Sequence, residues 1–91
     1  MTEVHDNPSL HRFEMTEQDQ TVFADYRRDG HRLIIDHVEA PISLRGTGAA
    51  GRFMEGLVAA AKAEGSTIVP ICSYAVLWLR RHPELAAEVG A

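Results

Sequence analysis

The stretch Leu44-Arg45-Gly46-Thr47-Gly48-Ala49-Ala50-Gly51-Arg52-Phe53-Met54 decides how this chain is read. Three glycines and two alanines stand where an extended segment gives way to a helix. Side chains this small let a ligand come close to the backbone. A helix start adds N–H groups without intrahelical partners and the positive end of the helix dipole. Together these features suit the binding of a phosphate group.

The surrounding pattern places this stretch in a fold. From about Thr47, the residues Ala50, Phe53, Met54, Leu57, Val58 and Ala61 recur at helical spacing. Gly65 is placed to end that helix. Upstream, Leu10–Met15, Thr21–Arg27 and His31–Glu39 read as strands. Arg28-Asp29-Gly30 joins the second to the third as a hairpin turn, and Pro41 stops the pairing of the third. Downstream, Thr67–Ile71 is nearly all apolar and suits a strand covered on both faces. Ser73 is a candidate cap for a second helix carrying Tyr74, Val76, Leu77, Leu79 and Arg80. Pro83-Glu84 opens a last short helix, Glu84 to Val89. Residues 1–9, with Asn7-Pro8-Ser9 as breaker, are expected to be a flexible tail before a single domain, 10–91.

The order β-β-β-α-β-α-α predicts an α+β fold. Three antiparallel strands form a meander, and the strand at 67–71 returns parallel to the one at 31–39 by a right-handed crossover. These last two strands are expected to diverge at their C-terminal ends, because Pro41 and Pro70 each lack a ladder donor.

Composition narrows the function. With 91 residues the chain is one domain near the lower size at which a core suffices. A net charge of −4 argues against nucleic-acid binding, which leaves a basic footprint. No apolar run is long enough to span a membrane, and the polar, acidic start is unlike a signal peptide. Cys72 stands alone, so no internal disulfide forms, and a cytoplasmic location is expected. His5, His11, His31, His37 and His82 lack metal-ligand spacing, so no metal is expected.

Gly46-x-Gly48-x-x-Gly51 has the letters of a dinucleotide fingerprint. That fingerprint needs a tight turn directly off a strand and an acidic residue at the end of the next strand. Here Ala40-Pro41-Ile42-Ser43-Leu44 intervenes, and the next strand ends in Pro70-Ile71-Cys72. A phosphate loop ending in Lys-Ser/Thr fails too, because Arg52-Phe53 stands there.

Arg45-x-x-Gly48-x-Ala50 resembles the Arg/Gln-x-x-Gly-x-Gly/Ala signature of the GNAT acetyltransferase superfamily. Val69-Pro70-x-Cys72-Ser73 and Arg80-Arg81-His82-Pro83-Glu84, in register with it, resemble one branch, the YjdJ-type minimal N-acetyltransferase-like domain. The likeness runs from about Phe13 to Glu84. It implies a short GNAT-like fold, a mostly antiparallel sheet with a parallel strand pair at the cofactor site and helices packed on it. It also implies acetyl-CoA as cofactor, with CoA as product. The backbone of Arg45, Gly46, Thr47, Gly48, Ala49 and Ala50 would hold the pyrophosphate, and Val38, Glu39 and Ala40 would flank the pantetheine arm. Ser73 would join the cofactor site. Arg80 and Arg81 would reach the phosphates or stand as solvated helix-end cations.

Three residues are candidates for the chemistry. Cys72 falls where the cofactor's sulfur would arrive, beside a helix start that favours a thiolate. It would protonate the leaving thiolate, accept the acetyl group or simply pack. His37 and Glu39 share one strand face, and either is a candidate base. The family commonly uses a Tyr acid in the helix after the last strand. The matching slot holds Leu79 beside Trp78, and Tyr74 reads as out of phase. The helices that wall the family's acceptor site have no counterpart in the short N-terminal stretch. Two functions therefore stay open: transfer to an exposed amine, of a protein or peptide, or an acetyl-CoA-binding module for sensing or partner binding with little turnover. A monomer or weak dimer is expected.

Overall fold

Alternating apolar residues build the sheet in the computed structural model, which describes residues 3–91. Phe13 and Met15 in β2 (Arg12–Glu17), Val22, Ala24 and Tyr26 in β3 (Gln20–Asp29), and Leu33 and Ile35 in β4 (Arg32–Glu39) are all buried. With β1 (His5–Asn7) and β5 (Thr67–Pro70) they make a five-stranded sheet of order β1-β2-β3-β4-β5. The first three pairings are antiparallel, and β4/β5 is parallel. This is the α+β arrangement that the order of elements implies.

The apolar stripe of α1 (Ala49–Glu64) crosses β2, β3 and β5. It buries Ala49, Phe53, Met54, Leu57, Val58 and Ala61. Ala50, expected in that stripe, stays half-buried beside the loop instead. Gly65, at φ +78, ends the helix, and its N–H reaches the carbonyls of Ala61 and Lys62. The second helix, α2 (Ser73–Arg80), lies on β4 and β5, and α3 (Pro83–Glu88) packs on α1 and α2. No helix among the described residues is long and apolar enough to cross a membrane.

Several local expectations shift. Residues 5–7 are a paired strand, although they lie in the stretch expected to be a flexible tail. The Tyr26 hydroxyl donates to Asp6 at 2.6 Å, and Val4 packs where a side chain on Gly56 of α1 would collide with it. These contacts span 20 residues and more, so three short residues show no pattern of their own. A 3-10 turn at Pro8–Leu10 delays β2 to Arg12. The hairpin turn falls on Gly30-His31, between the paired Asp29 and Arg32, with Gly30 at φ +61. Ser73 is not the cap of α2. Cys72 holds that position, and no side chain caps the helix.

Candidate functional site

After β4, a 3-10 turn at Ile42–Leu44 buries Leu44 and leads into the small-residue loop. Gly46 and Gly48 hold φ +82 and +83, a conformation open chiefly to glycine. The Thr47 hydroxyl donates to the Leu44 carbonyl at 2.5 Å and accepts the Ala49 N–H at 3.3 Å. Arg52 braces the loop from below, donating to the Thr47 carbonyl at 3.0 Å while its fork is held by Glu17 at 2.8 and 2.7 Å. The N–H groups of Gly46, Gly48, Ala50 and Gly51 have no acceptor among the described residues. A Cβ on Gly48 would stand 3.1 Å from the Arg52 guanidinium. The loop is therefore a cradle of free donors, and a side chain on Gly48 would strain its backbone and crowd the bracing Arg52.

A cavity of about 380 Å³ lies against this cradle, bounded by Leu44, Arg45, Gly46, Gly48, Ala40 and Tyr74. A second, of about 190 Å³, is bounded by Val38, Ala40, Ala50 and Tyr74. The two share Ala40, Ala50 and Tyr74 and form one groove. It runs from the start of α1 to the C-terminal half of β4.

The groove exists because β5 leaves β4. Their ladder runs from Arg32/Thr67 to Ile35/Pro70 and stops, while β4 stays paired to β3 as far as Glu39. The divergence matches expectation, but proline is not its cause. Thr67 and Ile71 donate to the carbonyls of His31 and Ile35, at 2.8 and 3.0 Å. By strand alternation the nitrogen of Pro70 then faces away from β4. Two other features end the ladder. The Ile35 carbonyl takes the N–H of Cys72 as well, at 3.2 Å, as the chain turns into α2. On the other side a bulge shifts the register between Asp25 and Tyr26, leaving Asp36 as an extra residue in β4. A bulge bends the strand that carries it.

The structure sorts the candidate residues. Val38, Ala40, Arg45, Gly46, Gly48, Ala49 and Ala50 come together along the groove, and Thr47 shapes the loop through its hydroxyl. His37 and Glu39 share a face as expected and pair at 3.1 Å. Val38 between them lines the groove, so alternation turns both to the far side of the sheet, where they are about half exposed. Ser73 does not line the groove. Cys72 is half-buried, packed against the core at the point where the ladder ends. Arg80 and Arg81 separate: Arg80 lines a cleft between α2 and α3, and Arg81 stays on the Tyr74 side.

Tyr74, although out of phase with the family's usual Tyr slot, faces the groove. It borders both parts of the groove. Burial, and then the neighbouring Cys72, push its phenol above the ordinary value, so it keeps its proton. Leu79, in the family's usual Tyr slot, is buried toward α3 instead. Tyr74, Trp78 and Arg81 follow one another at i, i+4 and i+7, and that spacing was the available signal.

Residues 12–89 match the family model of the GCN5-related N-acetyltransferases. The chain belongs to that family. The NMR structure of a GCN5-like protein from Staphylococcus aureus has a TM-score of 0.66 to this chain at 20% identity. The match covers 96% of this chain and 85% of that one. At that identity the likeness speaks for the fold. No curated protein matches the chain. In this GCN5-related chain the groove thus lies between the signature loop, the freed half of β4 and the first turn of α2.

Proposed function

We propose that this chain binds acetyl-CoA in the groove and transfers its acetyl group to an exposed amine. One observation carries the reading. The β4/β5 ladder stops at Ile35/Pro70, and the opening beyond it is continuous with four unpaired N–H groups at the start of α1. Acetyl-CoA supplies a thioester, whose acyl carbon is electrophilic. Gly46, Gly48, Ala50 and Gly51 would donate to its phosphates through the backbone. Val38, Ala40 and Tyr74 would enclose the pantetheine arm and exclude water from it. β4 beyond Ile35 has no β5 partner, so its backbone is free to pair with amides of that arm. Tyr74 borders the groove and Cys72 stands at the ladder's end, and either would be placed to donate to a leaving thiolate.

A second reading has its own support. His37 and Glu39 face away from the groove, so neither is held there as a base. This favours a CoA-binding module with little turnover.

Calorimetry with CoA tests the binding. The native chain should bind, and Gly48→Val should lose at least about a hundredfold in affinity, because a branched side chain at φ +83 distorts the loop and crowds its Arg52 brace. Ala50→Glu serves as a second variant, at a half-buried helical site that tolerates the change structurally. Unchanged affinity in both overturns the reading, and NAD binding of equal strength would revive the dinucleotide one. A screen of amines and peptides, followed by thiol release, separates transferase from module. For a transferase, Cys72→Ala and Tyr74→Phe should keep CoA affinity, and the variant lacking the acid should lose most turnover.

A further inference from the structure

Tyr74 borders a third cavity, of about 150 Å³, which it shares with Leu77, Trp78, Arg81 and His82. Trp78 joins this cavity to the start of α1, since a Cβ on Gly51 would sit 3.8 Å from its indole nitrogen. The His82 ring stacks on Trp78, with centroids 3.8 Å apart and planes 14° from parallel. His82 Nδ1 donates to the Trp78 carbonyl at 2.8 Å. A carbonyl only accepts, so Nδ1 carries the hydrogen and Nε2 is left for another partner.

Charge pairing points the same way. Arg12, Arg27, Arg28, Arg32 and Arg52 each hold a carboxylate. Arg45, Arg80 and Arg81 hold none among the described residues. The whole chain carries 13 acidic residues against 9 basic ones, so unpaired arginines are not a matter of supply. Arg45 lines the loop cavity and Arg81 the one beside it. Guanidinium and imidazole together suit a phosphate monoester.

We infer that Arg81 and His82 form a subsite for the 3′-phosphate of CoA, next to the loop that takes the pyrophosphate. The inference rests on the CoA reading above and adds to it the ability to tell CoA from dephospho-CoA. The cavity admits a phosphate and part of the ribose, with Tyr74 and Leu77 as apolar walls. Arg80, one residue earlier but facing α3, takes no part.

The test is calorimetry of the whole chain with CoA and with dephospho-CoA. The native chain should prefer CoA by about tenfold or more, the range expected for charge-assisted hydrogen bonds. Arg81→Gln should bring that ratio close to one and leave dephospho-CoA affinity unchanged. His82→Gln should lower it several-fold, and Arg80→Gln should leave it intact. Fluorescence of Trp78, the one tryptophan, should respond more strongly to 3′,5′-ADP than to 5′-ADP, and Arg81→Gln should remove the difference. Equal affinity of the native chain for CoA and dephospho-CoA overturns the subsite and leaves the CoA reading standing. So does a ratio that survives Arg81→Gln. Failure to bind either compound overturns both.

Discussion

The two halves of β4 are one strand with two fates. From Arg32 to Ile35 it is paired on both sides, to β3 and to β5. Leu33 and Ile35 there are fully buried. From His37 to Glu39 it is paired to β3 alone, and Val38 is only partly covered. The first half has used its donors, acceptors and side chains on the protein itself. The second has a free edge and an uncovered apolar residue beside a helix start. Binding capacity in this sheet begins where a neighbour departs, and one bulge marks the boundary.

The sharpest way to break this contrast is to truncate both halves. Ile35→Ala should cost about 2–5 kcal/mol in urea denaturation, as for a fully buried aliphatic residue. Val38→Ala, partly exposed, should cost less than about 1.5 kcal/mol. Equal losses would mean that the outer half is as structural as the inner.

A smaller effect sharpens the other side. Val38→Phe adds bulk to the groove with little room taken from the core, so stability should change by less than about 1 kcal/mol. CoA affinity should fall at least about tenfold. A variant binding CoA at native strength would put the arm elsewhere.

The smallest effect is electrostatic and confined to the closed half. Arg28, on β3 opposite Leu33, donates to Glu64 at 2.6 Å. That bond holds the Glu64 carboxyl below its ordinary 4.5, with burial opposing and Ser66 assisting. A depressed carboxyl stabilises the fold fully above its unfolded value, and that contribution is lost as pH falls through the folded value. The pair is about one-third exposed, so the expected share is about 0.5–1 kcal/mol. Glu64→Gln should lower stability by that amount at pH 7 and by nothing at pH 2, measured by denaturation at each pH.

Much of this was legible because the signals were local. Apolar positions in 21–27, the apolar run in 31–39, helical spacing from Thr47 and glycine at 46, 48 and 65 are written within a few residues of where they act. The loop residues of the candidate site came with them. What stayed hidden depends on distant partners. β1 is three residues held by Tyr26 and by Val4 over Gly56. The bulge at Asp36 has no residue signature, and it alters which of His37, Val38 and Glu39 meets the groove. The side of α2 that carries Tyr74 and Arg81 follows from where the chain turns at Cys72, which a helical wheel alone does not fix.

The outer edge of β5 has a consequence for how copies of this chain meet. Ile68 already gives its N–H to the Val89 carbonyl, at 2.8 Å, and Pro70 has none to give. A foreign strand arriving at that border finds one donor spent and the next missing. Edge-to-edge stacking, the usual route from a small sheet to a fibril, therefore has no ladder to extend there. The same short strand that opens the groove on one side keeps the sheet from growing on the other.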